Sequence, residues 1–229
     1  PYWKSYVMSQ LNKLSDIDST ILAHDFIGSP LPKTEIGKSL YDDGYALIDN
    51  FNLNIDVLSD YINKHIFPSE SSKGTDEAVI TNINQLPLNI SYLEETIFPW
   101  VHDYLGDDYE FSGYNVIKLT KHLKSKDQYV SGNWHHDRCV KRVKVFILLN
   151  DVTQEGGHMT KILRGTHQWI HNIDSFDGES AKGRFKDVTR WKNREVSMLG
   201  KRGGGYIFDT NVIHKAECEG LAERTSIML

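Results

Sequence analysis

The feature that most constrains this chain is a change of texture at Tyr109. Downstream of it, short segments rich in Val, Ile, Phe and Tyr alternate with turns built from Gly, Asn and Asp. That rhythm belongs to an all-β sandwich or barrel. The candidate strands are Phe111 to Leu119, Asn133 to Cys139, Val143 to Leu149, His158 to Leu163, Tyr206 to Asp209 and Thr225 to Leu229. Upstream the pattern is helical. A short helix covers Thr34 to Tyr41, and Asp43-Gly44 turns the chain into an apolar strand, Tyr45-Ala46-Leu47-Ile48. Asn54 is a good N-cap for a second helix, in which Leu58, Tyr61, Ile62 and Ile66 recur at helical spacing. Ser91 and Glu94 form a capping box for a third, which carries Leu93, Ile97, Val101 and Tyr104 and ends near Gly106. The first thirty residues show no clean period, Ser29-Pro30-Leu31-Pro32 reads as a break, and Pro68 to Glu77 reads as a polar loop. The expectation is one domain over 1–229: a mostly helical N-terminal layer, 1–107, then a β core, 108–229.

A chain of 229 residues can bury one sizeable core, and 25% charged with 39% hydrophobic residues is ordinary for a globular protein. The formal net charge of −5 argues against a general nucleic-acid binder. No apolar run approaches the roughly 20 residues that span a bilayer, and no signal-peptide pattern opens the chain. It begins at Pro1 rather than Met, as a trimmed or partial chain would. Cys139 and Cys218 make no disulfide framework and read as small buried hydrophobes, so a cytoplasmic setting is the simpler expectation.

In a strand, residues i and i+2 share a face. His135 and Asp137 would then both point inward, while His136 points away. About one His-x-Asp arises by chance in such a chain, so the pair needs support. Support comes from a third side chain. Gly203-Gly204-Gly205 leads into the apolar strand Tyr206 to Asp209, and His214 follows shortly after. Alone, such a His reads better as a core residue bonded to a carbonyl. Together, two imidazoles and a carboxylate form a facial triad for ferrous iron, with coordination positions left free. Arg224-Thr225-Ser226 repeats the period-two spacing, so a planar guanidinium and a hydroxyl share a face suited to a carboxylate.

These segments resemble the Fe(II)/2-oxoglutarate dioxygenases, and within them the phytanoyl-CoA hydroxylase-like group, from about Leu40 to the end. Leu40-Tyr41-Asp42-Asp43-Gly44-Tyr45 is similar to that group's opening, and Trp134-His135-His136-Asp137 to its metal segment. The run from Gly156-Gly157-His158 to Gly165-Thr166-His167 is similar to its Gly-rich segment ending in Gly-Ser-His. Gly204-Gly205-Tyr206-Ile207-Phe208-Asp209 before His214 is similar to its last core segment. Arg164 stands where the group commonly has Pro. Ala216 stands where it often has a small hydroxyl residue, which puts the co-substrate contacts in question. Related halogenases replace the metal carboxylate with a small residue, so Asp137 points to hydroxylation or desaturation.

The resemblance implies a double-stranded β-helix (jelly-roll, cupin-like) core, with Fe(II) held by His135, Asp137 and His214. It implies 2-oxoglutarate as co-substrate, its far carboxylate paired with Arg224 assisted by Ser226, and O2 as oxidant. Products would be succinate, carbon dioxide and a hydroxylated small or medium-sized organic substrate. Lys118 or Tyr114 would be a further co-substrate contact, unless both are ordinary strand residues. The basic cluster Lys182, Arg184, Lys186, Arg190, Lys192 and Arg194 is either a solvated loop or a receiver for an anionic or carrier-bound substrate. Trp169 and Trp191 flank it as substrate contacts or as loop anchors. Two rivals stand beside this reading. A cupin-like metal isomerase or hydrolase would lack a use for Arg224-x-Ser226. A non-catalytic small-molecule or partner-binding barrel would lack a use for a complete ligand set.

Overall fold

Two antiparallel sheets are laid face to face. The structure is a computed structural model that describes residues 21–22, 31–68, 74–107, 109–127, 129–137, 142–170, 185 and 187–229. Its strands are β1 (Ile21–Leu22), β2 (Tyr45–Ile48), β3 (Thr75–Ile80), β4 (Tyr114–Leu119), β5 (Val143–Leu148) and β6 (Thr160–Leu163). They continue with β7 (Trp169–Ile170), β8 (Glu195–Met198), β9 (Gly205–Asp209), β10 (Ile213–Ala216) and β11 (Arg224–Met228). One sheet has six strands in the order β2-β9-β5-β11-β4-β3, and the other has three, β10-β6-β8. A short pair, β1 with β7, stands apart from both.

The central strands β9, β5, β11 and β4 of the six-stranded sheet are largely buried on both faces, which is why β5 and β9 read as nearly continuous apolar runs, while the edge strands β2 and β3 are partly exposed. One face presents Tyr114, Val116, Val145, Ile147, Ile207 and Ile227 to the helices, where Leu40, Leu58, Ile62, Leu93 and Ile97 complete the core. The other presents Ile117, Leu119, Phe146, Leu148, Tyr206 and Phe208 to Ile162, Met198 and Ala216 of the small sheet. The functional residues lie on this second, inter-sheet face. On the helix-facing side, with Ile207 and Phe51, Gly205 has a packing role: a Cβ on it would sit 1.8 Å from the Phe146 carbonyl oxygen, so glycine lets β9 close on β5.

The helices are α1 (Glu35–Asp42), α2 (Ile55–His65) and α3 (Phe98–Leu105), the last entered through a turn at Ile90–Tyr92 and a π-helical segment, Leu93–Ile97. Thr34 caps α1 by accepting from the Gly37 amide, and Asn54 caps α2 by accepting from the Val57 amide. The third helical stretch opens on Asn89, whose side chain accepts from the Ser91 amide at 3.0 Å. The expected Ser91–Glu94 box is not the cap.

Other departures from expectation concern strands. Of the expected strand Asn133 to Cys139, the described part, 133–137, is not a ladder strand: His135 makes one isolated bridge to His214, and Val130–Gly132 just before it is a 3-10 turn. Cys139 lies outside the described residues. Part of the expected loop Pro68 to Glu77 is β3, whose burial alternates irregularly and so carries no clean period. The stretch 1–107 therefore supplies β2 and β3 to the large sheet as well as helices.

Candidate metal centre

The turn between β9 and β10 is built first, because it sets everything else. The Asp209 carboxylate accepts from the Asn211 amide at 2.7 Å and from Asn211 Nδ2 at 2.8 Å, while Tyr104 of α3 donates its hydroxyl to the other oxygen at 2.7 Å. That locked turn aims the Thr210 carbonyl at the metal segment, where it accepts from the Asp137 amide at 2.9 Å. Three residues past the turn's Asn211, His214 exchanges both backbone hydrogen bonds with His135, at 2.9 and 2.7 Å. The two imidazoles are thereby brought to 4.2 Å between ring centroids.

Each ring is then oriented by its own chain. His135 Nδ1 bonds the Asn133 carbonyl at 2.6 Å, and His214 Nδ1 bonds the Val212 carbonyl at 2.7 Å. A carbonyl only accepts, so Nδ1 carries the proton in both and each Nε2 keeps its lone pair. Those two Nε2 atoms lie 3.7 and 3.9 Å from Asp137 Oδ1, too long for hydrogen bonds. One ligand atom from each residue falls within 4.8 Å of the others, and this is the one such group of metal-ligating residues among the described residues. Burial holds the His214 imidazole down at about 4, with Asp137 opposing and Lys144 adding to the shift. A neutral ring is what a metal requires.

Asp137 is turned by cations. Its Oδ2 takes Arg142 Nη2 at 2.6 Å and Lys144 Nζ at 2.8 Å. Burial alone would raise this carboxyl, but Lys144, His214 and Arg142 outweigh it and hold it well below the usual carboxylate range. The carboxylate stays charged, with Oδ1 aimed at the imidazoles.

A second cluster shares the inter-sheet space. Phe208 packs edge-on against His214 at 4.9 Å, Phe146 lies 6.1 Å from Phe208, and the Arg224 guanidinium sits 5.9 Å above Phe146. His214 and Arg224 thus stand on one aromatic floor. Arg224 is 2% exposed, yet among the described residues it has no acidic partner; Nη1 donates to Thr160 Oγ1 at 3.1 Å and Nε has none. The Ser226 hydroxyl, on the same face of β11, is fully buried and also lacks a partner. Thr160 bonds the Tyr206 hydroxyl at 2.7 Å, and Tyr129 is near enough for Arg224 to oppose the upward push of burial on its phenol.

Tyr114 and Lys118 do not reach this space. They lie on the opposite face of β4, Tyr114 in the core beneath the helices and Lys118 paired with Glu223 at 3.2 Å. Thr160, Tyr206 and Tyr129 are the polar groups that sequence reasoning missed. Only the strand parity of Thr160 against Ala216 and of Tyr206 against Phe146 could have found them. Of the basic cluster, Lys182, Arg184 and Lys186 lie outside the described residues. Arg190 stacks 3.9 Å over Trp191, and Trp191 packs with Leu163 and Ile213, as a loop anchor does.

No family model matches this chain, and no curated protein matches it either. Solved structures do. EvdO2 from Micromonospora carbonacea var. aurantiaca, complexed with 2-oxoglutarate, is 14% identical, with a TM-score of 0.61 over 92% of this chain and 91% of its own. The epimerase SnoN, in complex with Fe3+, alpha ketoglutarate and nogalamycin RO, is 16% identical, with a TM-score of 0.58 over 84% and 80%. The fold is shared with them. HygX from Streptomyces hygroscopicus, with nickel and 2-oxoglutarate bound, adds a third at 10% identity, TM-score 0.59, over 86% and 85%. At such identities the likeness is one of fold, and the site rests on the geometry above.

Proposed function

We propose that this chain is a non-haem Fe(II)/2-oxoglutarate-dependent dioxygenase of the phytanoyl-CoA hydroxylase-like group, a single domain over 1–229 with a double-stranded β-helix core. It hydroxylates an unactivated C–H of a small or medium-sized organic molecule, in a reducing cytoplasmic setting where ferrous iron stays available. The observation that carries this is Arg224: a buried guanidinium with no acidic partner among the described residues, on the same floor as two imidazoles and a carboxylate that converge. A buried charge without a partner is costly, so an anion from outside is the expected occupant.

The donor set fits the groups. His135, Asp137 and His214 would hold iron, and Arg224, Ser226 and the Thr160–Tyr206 hydroxyl pair would receive the far carboxylate of the 2-oxo acid. When bound, iron and the 2-oxo acid supply an oxidant made from O2, with succinate and carbon dioxide released. The chain's own residues do the rest. Arg142 and Lys144 keep Oδ2 occupied so that Asp137 presents one oxygen to the metal, and Phe146, Tyr206 and Phe208 exclude water from the reaction space. The likeness to an epimerase supports a second reading, in which hydrogen is removed and returned to the other face of the same carbon, with an external reductant such as ascorbate supplying the two electrons that the oxidant would take up.

The test is incubation with Fe(II), ascorbate and 2-oxoglutarate across candidate metabolites, followed by mass spectrometry. Iron-dependent succinate with a product heavier by one oxygen supports hydroxylation, and succinate with an isobaric product supports epimerisation. Absence of Fe(II) or Mn(II) binding removes the proposal.

A further inference from the structure

We propose that Arg142 and Lys144 form a receptor for an anionic group of the substrate at the edge of the metal centre. This rests on the metal-centre reading above and goes beyond it by naming a substrate class: molecules bearing a phosphate, sulfate or carboxylate.

One oxygen meets two cations at the edge of the centre. Asp137 Oδ2 accepts from both Arg142 and Lys144, while Oδ1 faces the imidazoles. A single cation suffices to orient a carboxylate and balance its charge; the second is surplus. A divalent metal at Oδ1 draws on the same negative charge and enlarges that surplus. Neither cation has another acidic partner among the described residues. Both reach solvent, with 41% of the Arg142 side chain and 23% of Lys144 exposed, so an incoming group can meet them. Arg142 Nε is also buried without a hydrogen-bond partner. The fold holds the main chain of both residues in place: the Arg142 carbonyl accepts from the Thr210 amide at 2.9 Å, and Lys144 lies within β5, opposite Phe208.

The local sequence has the same bias. From Arg138 to Lys144 there are four basic residues, and no acid follows Asp137 until Asp151. In a chain of net charge −5, this is a local reversal along the sequence. An anion held here would place the carbon next to it close to the metal, as a positioned substrate requires.

The experiment uses the whole protein loaded with Mn(II) and saturating 2-oxoglutarate, without O2, and inorganic phosphate as probe. Bound Mn(II) speeds the phosphorus NMR relaxation of any phosphate held near it. The expected result is a saturable enhancement per bound Mn(II) that falls about tenfold in Arg142→Gln, the loss of one charge-assisted contact. Arg142→Lys, which keeps the charge, should recover most of it. Counting bound Mn(II) in every sample corrects for a variant that holds less metal. Three results overturn the inference: no enhancement while metal and 2-oxoglutarate bind, equal enhancement in Arg142→Gln, or an enhancement that vanishes as 2-oxoglutarate saturates. The last would place phosphate in the Arg224 pocket. Failure to bind Mn(II) at all would instead overturn the metal-centre reading, and this one with it.

Discussion

His135, His136 and His214 are all buried, so burial does not separate ligand from bystander. Direction does. His135 and His214 turn Nε2 toward Asp137, whereas His136 bonds its Nδ1 to the Asp137 carbonyl at 2.7 Å and packs against Phe185. His135→Ala and His214→Ala should therefore abolish Mn(II) binding in a titration. His136→Ala should cost stability, about 1–3 kcal/mol, while metal still binds. Equal metal loss in all three would show that the ligand assignment is wrong. Arg224→Ala should weaken 2-oxoglutarate binding by about 30- to 300-fold, the worth of a buried charge-assisted fork, and leave Mn(II) affinity far less changed. Unchanged co-substrate affinity by calorimetry would remove Arg224 from the site. Period-two reasoning placed Arg224 with Ser226 because one residue between them is enough to set a shared face. The same reasoning could not place Tyr114 and Lys118, because β4 is buried on both sides and its sequence does not say which face looks toward the metal.

At the scale of elements, legibility followed burial symmetry. β2, β5 and β9 were readable as apolar runs, and α2 by its Asn54 cap. β3, β8 and β10 were not: β3 mixes polar with apolar positions without a clean period, and β8 and β10 have only four residues each. The metal segment was expected as a strand and is instead an irregular stretch pinned at two points, to His214 and to Thr210. His135 and Asp137 still converge, because those two pins do the work that a ladder would have done. This gives the β9–β10 turn a measurable importance. Tyr104→Phe removes the hydroxyl that α3 donates to the buried Asp209 carboxylate. It should lower stability by about 1–3 kcal/mol, seen as a fall in Tm, and weaken Mn(II) binding through the loosened turn. A Tyr104→Phe protein with unchanged Tm would mean that the turn holds without α3.

For the whole molecule, the same burial that readies the site also makes the fold acid-sensitive. Burial holds His214 at about 4, against an ordinary 6.5, and also lowers His158, with nearby Arg224 and Lys124 adding to that effect. Both rings are neutral in the fold but take up protons in the unfolded chain as pH drops below that ordinary value. The unfolded state then binds more protons, so stability must fall with falling pH. The contribution of His214 is complete above about pH 6.5 and is lost progressively as pH approaches about 4, roughly 3 kcal/mol in all. Below that window Asp137 takes over with the same sign, since its carboxyl is held down in the fold and protonates more readily in the unfolded chain. The check is a Tm series on chelator-treated protein from about pH 7.5 to 4.5, where a steady decline is expected. Added Mn(II) should raise Tm at the upper end by binding the folded state alone. A flat profile across the window would mean that water reaches His214, and the closed inter-sheet space between it and Arg224 would then have no physical basis.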